Sequence, residues 1–258
     1  MRSRTLVGVV LACFLVFAAC GGDDDGTSSK TTDVTESSNP DQAPADAAIA
    51  AFAHEAEDQG FTAAAGGESD GSTSDGATGD GSTSDIQLES EACKQFSDAF
   101  QTEKLAGETA TAESGSYEKG DVTSGESAES VEGNVTFVED AASLDMLFEV
   151  LGHDQLAPCV AEAFQQSFDA GADDPSTPLL TVSDVSTEPL ETSGLGDASK
   201  GLGVTATVSA LGRSFPVVSQ FEFVQDGRAA IGVVVTVIGA EKVTADRTAL
   251  AQAMVDTL

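Results

Sequence analysis

Tryptophan is absent from the 258-residue chain, and Tyr117 is its single tyrosine. That disfavours a sugar-binding platform, which relies on Trp or Tyr faces for stacking. Basic residues are scarce: 11 Lys and Arg stand against 44 Asp and Glu, a formal charge of −33. Nucleic acid and anionic headgroups would be repelled, because binding them needs basic patches. No nucleic-acid partner is expected, and the acidity, spread over tails, loops and helices, reads as a solubility feature. Histidine occurs twice, at His54 and His153. His54 and Asp58 share a helix face, but the second His of a zinc-protease signature is missing. HEAED at 54–58 therefore reads as a solvated helix face. His153 falls at a helix junction, where a His near a C-terminus is favourable. There is no Gly-x-Ser-x-Gly elbow and no phosphate loop. No catalytic residue, metal ligand or cofactor is assigned, and the chain is expected not to be an enzyme.

Long apolar runs are also lacking. The longest, LVGVVLACFLVFAA at 6–19, has 14 residues. A bilayer core needs about 20. Arg2 and Arg4 precede it and small residues end it, which is the form of a secretory signal peptide at 1–19. Phe17-Ala18-Ala19-Cys20 resembles the lipobox of bacterial lipoproteins, with Phe17 where Leu, Val or Ile is usual. The resemblance implies cleavage before Cys20 and a lipid on its thiol, hence a membrane partner and an extracytoplasmic, membrane-anchored location. Ordinary secretion with cleavage near Ala19 is the alternative. Losing Arg2 and Arg4 takes the charge from −33 to −35.

Four cysteines are present. Cys13 leaves with the signal and Cys20 carries lipid, so Cys93 and Cys159 remain. In an oxidising compartment a disulfide between them is the default. Closing its loop is worth roughly 4 kcal/mol in the chain-entropy model. Two free thiols in a redox or metal site are the alternative, without a third ligand in view.

Residues 20–44 show no apolar periodicity and read as a lipidated Cys with a disordered acidic tether. A single domain is expected over 45–258. Its first helix places Ile49, Phe52, Ala53 and Ala56 on one stripe, and Gly60 ends it. A short strand follows at 61–64. SDGSTSDGATGDGSTSD at 69–85 carries aspartates at every fifth position. That spacing fits neither an EF-hand loop nor a nonapeptide calcium repeat, so 66–85 reads as a disordered insert within one fold. A helix is expected at 90–101. Residues 106–133 read as a long loop or weak edge strands, and 134–138 as a strand. Asp140 caps a helix carrying Leu144, Leu147, Phe148 and Leu151, and another starts at Pro158 and Cys159. Strands follow at 179–185, 202–210, 215–224 and 229–238, with Asp226-Gly227 as a hairpin turn. AAIGVVVTVI at 229–238 is apolar on both faces and should be a central strand. Thr244 then caps a helix with Leu250, Ala251, Met254 and Leu258. The fold class expected is α+β: an antiparallel sheet with helices packed on one face, and a C-terminal β-meander followed by a helix.

Several of these segments come together in one pattern. They are EACKQF, VTFVEDAASLDMLFEVL, APCVAEAF, LGDAS at 195–199, the strands from 203 to 237, and the helix from Ala245. The pattern resembles actinobacterial exported lipoproteins similar to the extracellular sensor domain of mycobacterial membrane serine/threonine kinases. It departs from those ectodomains in carrying a single expected disulfide. The resemblance implies a binding or sensing role and no chemistry, for a small apolar or amphipathic envelope ligand or an envelope protein. A structural or assembly protein of the envelope with no small ligand is the alternative, and an unrecognised hydrolase comes behind both. The 13 Phe against one Tyr fit an apolar interior.

Overall fold

The computed structural model describes residues 39–64, 107–120, 127–151, 158–159, 161–162, 180–192, 194–210 and 212–258. The expected signal segment, Cys20, residues 21–38 of the tether, the insert at 66–85, the helix at 90–101 with Cys93, and His153 lie outside the described residues. In chain order the elements are α1 (Gln42–Asp58), β1 (Thr62–Ala63), β2 (Glu108–Glu113), β3 (Tyr117–Gly120), β4 (Ala128–Val138) and α2 (Ala142–Leu151). They continue with β5 (Leu180–Leu190), β6 (Ala198–Ala210), β7 (Arg213–Asp226), β8 (Ala229–Ile238) and α3 (Arg247–Val255).

The strands form one antiparallel sheet in the order β1-β3-β4-β8-β7-β6-β5, with β2 beside β3 on the same edge of β4. β8 is the strand with apolar residues on both faces, and it is central as expected, paired along its whole length with β4 and β7. Its Val, Ile and Ala side chains need cover on both faces, and neighbouring strands on either side help to supply it. The β7–β8 hairpin turns through Gly227 and Arg228, one residue later than expected, because Asp226 pairs with Ala229. Of these two turn residues only Gly227 has a positive φ, 56°, the pattern of a type II′ turn.

The first face carries α1 and α3. Val131, Val135, Ile231, Val233 and Val235 meet Phe52, Leu250 and Met254 there. Gly133 lets the Phe52 ring lie on β4, since a Cβ on that glycine would stand 2.7 Å from the ring. The second face buries Val204, Ala206, Val217, Phe221 and Ile238. α2 packs on this side: its Asp145 accepts a 2.9 Å hydrogen bond from Gln225, which alternates to the face of Phe221 and Phe223. Helices therefore cover both faces, correcting the expected one-face arrangement. The physical reason is the pattern of β8 itself, which requires cover on both sides.

α1 starts at Gln42, so Pro44 lies inside its first turn, where a missing N–H has no intrahelical partner to lose. Asp41, just before it, does not cap the helix with its side chain. Its carboxylate accepts from Arg228 at 2.7 and 3.1 Å and from Thr109 at 2.6 Å. The Arg228 and Thr109 hydrogen bonds hold the Asp41 carboxyl below the usual aspartate range. Arg228 also donates to the Val138 carbonyl at 2.8 Å. The N-terminus of the helix is thus fastened to the hairpin and to the end of β4.

α3 is fastened at its start. Thr244 was expected to cap it, but Asp246 does, accepting from the Ala249 N–H at 3.1 Å. Thr244 turns to Glu129 of β4 instead. The Glu129 carboxylate accepts from the N–H groups of Thr244 and Ala245 at 2.7 and 2.9 Å, and from the Thr244 hydroxyl. Arg247, in the first turn, donates to Glu222 at 2.8 Å, to Gln220 at 2.9 Å and to the Glu191 carbonyl at 2.6 Å. The Glu222 side chain is fully buried. Burial pushes its carboxyl up, and Arg247 opposes that.

Removing the guanidinium strands the Glu222 charge. Arg247→Met is therefore expected to lower stability at pH 7 by about 3–5 kcal/mol. The double variant with Glu222→Gln should recover part of that loss, as read by urea unfolding. A single-variant loss below about 1 kcal/mol would overturn the role given to the pair.

Candidate functional site

β2 and β3 are two halves of one edge strand along β4. Glu113 pairs with Asn134 and Tyr117 pairs with Val131, so residues 114–116 oppose only Glu132 and Gly133. The extra residue makes a bulge, a feature that re-aims side chains and interrupts the ladder. Ser114 repairs one side of the break. Its N–H donates to the Gly133 carbonyl and its hydroxyl accepts from the Gly133 N–H, each at 2.8 Å. The other side is not repaired. Ser116 Oγ and Glu132 Oε1 are buried, and neither makes a hydrogen bond of acceptable geometry.

Burial pushes the Glu132 carboxyl up to about 7 from an ordinary 4.5. The nearby charges of Glu113 and Glu118 act in the same direction, and the hydroxyl of Ser116 acts against them. A carboxyl in that range is both protonated and ionised near neutrality. It can donate or accept a hydrogen bond, and one of its oxygens is free to do so.

The surroundings of Glu132 follow from register. It alternates to the second face, where it pairs across β4–β8 with Val234, which pairs with Phe221, which pairs with Leu202. The neighbouring row runs Ser130, Thr236, Ser219 and Val204. Ser219 and Thr236 share a 3.0 Å hydroxyl contact, and both are buried. Each row thus passes from polar on β4 to apolar on β6, so this face offers hydrogen-bonding groups at one side and hydrocarbon at the other. A ligand that matched both would be amphipathic.

The sequence had pointed elsewhere. His54 and Asp58 lie on α1 as a 4.0 Å pair, with side chains 77% and 66% exposed, a solvated surface pair. Cys159 is buried at 3% exposure and is disulfide-bonded. Its expected partner Cys93, together with Cys20 and His153, lies outside the described residues. Among the described residues no group of His, Cys, Asp and Glu could hold a metal ion. Glu132 was passed over because 106–133 read as a long loop or weak edge strands. The signal was there: Val131, Gly133, Val135 and Phe137 alternate with polar residues, and β4 starts six residues before Asn134.

Glu132 has a folded-state value raised above its unfolded one, so its contribution to stability is complete below about 4.5 and lost as pH rises through about 7. A shift of that size corresponds to roughly 3 kcal/mol. Glu132→Gln is expected to melt higher than the parent at pH 8 and to match it at pH 4.5. Equal melting temperatures at pH 8 would show that Glu132 titrates as an exposed carboxylate does.

No protein-family model matches the chain, and no curated protein matches it. Among solved structures, the extracellular domain of PknH from Mycobacterium tuberculosis is similar at a TM-score of 0.23. The identity is 13%, over 50% of this chain and 55% of that chain. The resemblance expected from the sequence pattern thus has a weak and partial structural counterpart, one that carries no weight for function.

Proposed function

We propose that the protein is a non-catalytic binding or sensing module, held at the outer face of a cell membrane by a lipid on Cys20. Its ligand is a small amphipathic molecule of the envelope. The observation behind this reading is Glu132, with a buried oxygen that no protein group satisfies, at the polar end of rows that become apolar at Phe221 and Leu202. An orphaned buried acceptor costs about 1–3 kcal/mol. A ligand hydroxyl or amide over Glu132 and Ser116 removes that cost, and an alkyl or ring portion lies beside the half-buried Val234. With 44 acidic side chains the domain has no charge attraction to anionic headgroups. Retention at the surface then falls to the anchor.

Two experiments test the two halves of the proposal. Protein purified from its own membranes is extracted with organic solvent and the extract is weighed by mass spectrometry. An amphipathic compound at near-equal molar ratio is expected from the parent and a large loss from Glu132→Leu, which should also melt higher because its orphaned carboxyl is gone. A repeatedly empty parent sinks the ligand. Separately, Cys20→Ser should move the chain from the membrane fraction to the soluble one, and continued membrane retention sinks the anchor.

A further inference from the structure

On the first face, at the end of the sheet away from the β7–β8 hairpin, a cleft of about 530 Å³ opens between the β3–β4 strand ends and the segment leading into α3. Lys119, Glu129, Val237, Lys242 and Thr244 are among the residues that line it. It is separate from the Glu132 rows, because Lys119, Glu129 and Val237 alternate to the opposite face of the sheet from Glu132.

Its charge is unusual for this chain. Among the described residues six are basic: Lys119, Lys200, Arg213, Arg228, Lys242 and Arg247. Arg228 and Arg247 are held in ion pairs. Lys119 and Lys242 both line the cleft, and neither is in an ion pair with another of the described residues. Lys119 Nζ donates to the Gln59 carbonyl at 3.2 Å and lies 5.4 Å from the centre of the Phe61 ring. It keeps further protons to offer, since an ammonium has three. Glu129 brings a negative charge to the same cleft, but both of its oxygens are engaged by Thr244 and Ala245. What remains open is two ammonium groups.

We propose that this cleft binds a small organic anion, whose carboxylate or phosphate group is bridged by Lys119 and Lys242. The volume lies in the range of small-molecule sites. Val237 and Ala240 supply an apolar wall for the rest of the molecule. The charge of −33 does not forbid this. At physiological ionic strength the screening length is about 8 Å, so distant carboxylates are muted while groups in contact with the ligand are not. The segregation is the reverse of a scattered basic surface: two lysines without carboxylate partners among the described residues line one cleft in a chain where acids outnumber bases by 44 to 11.

The test labels the lysines of the full chain by reductive ¹³C-methylation, which keeps their charge, and titrates inorganic phosphate and, separately, acetate at 0.15 M sodium chloride. The Lys119 and Lys242 methyl signals are expected to move together and to saturate with at least one of the two anions, while Lys200 moves little. The responding anion tells which oxyanion the site takes. Lys242→Ala, at an exposed position, should weaken that response at least tenfold with an unchanged melting temperature. No saturable shift with either anion, uniform shifts at all lysines, or an undiminished response in Lys242→Ala would each overturn the proposal.

Discussion

The pairing of β8 decides the rest of the molecule. Its ten residues are bonded to β4 on one side and β7 on the other. Side chains alternate with a period of two, so a one-residue slip in either pairing would exchange the two faces of the neighbouring strand. Slipping β7 would carry Glu222 away from Arg247 and place Phe221 under α3. Slipping β4 would take Glu129 from the start of α3 and turn Glu132 into the helical layer. The register is secured because every odd residue of β8 is a buried apolar group, and Ala229, Ile231, Val233 and Val235 share one core with α1 and α3. Its even residues meet Phe221 and Ser219 on the other side. One strand with two covered faces therefore specifies two layers at once.

The helices contribute little surface of their own to this arrangement, since α1 buries mostly alanine around Phe52. Small residues let α1 and α3 approach closely, but they supply less burial energy than Leu or Phe would. Polar fastenings at the helix starts make up part of the difference. Asp41 ties α1 to Arg228, 187 residues away in the chain. Glu129 and Arg247 tie α3 to β4 and β7. These fastenings couple helix ends to the sheet and its hairpin, and Gln59 at the end of α1 adds a helix-to-helix tie by accepting from the Asp246 N–H at 2.8 Å and donating to the Asp246 carbonyl at 3.2 Å. In a chain so poor in arginine, these two guanidiniums sit where a rigid planar fork of donors meets several acceptors, a geometry the ammonium of lysine does not offer.

The C-terminal half was the more legible part of the sequence. β6 alternates cleanly over 202–210, β7 is rich in Val and Phe, β8 is apolar nearly throughout, and Gly227 marks the hairpin, so strand order and partners follow from short connections. The N-terminal half of the sheet was hidden for a chemical reason. β2 reads ETATAE and β4 opens with AESVEG, where Thr, Ala, Ser and Glu replace the branched apolar residues that announce a strand. Their inward positions are filled by Ala110, Val131 and Gly133, small enough to accept α1 and the Phe52 ring lying over Gly133. Glu132 was illegible in a deeper sense. A glutamate in an alternating strand reads as a solvated residue, and only the bulge opposite it, a property of two strands together, makes it an orphan. The Asp41–Arg228 tie likewise has no local signature at either end.

β4 shows how one strand can serve two kinds of surface. Glu129 and Glu132 are three residues apart, and an odd separation on a strand puts them on opposite faces. Both are drawn largely out of water, yet they are treated differently. Glu129 receives three donors from the turn into α3, so its charge is matched by N–H and O–H groups and the turn is fixed by it. Glu132 faces a bulge in which Ser114 has already satisfied the free backbone groups of Gly133, leaving only the nearby Ser116 hydroxyl for the carboxyl and its Oε1 without a partner. The first is a structural carboxylate, since its hydrogen bonds account for its burial. The second has a raised proton affinity and an unused oxygen, as Glu222 has, but among the described residues it has no ion-pair partner such as Arg247 gives Glu222. Leucine in its place would join the row of Val234 and Phe221 without loss of packing. A carboxyl at that point is therefore better explained by something it contacts than by the fold it sits in.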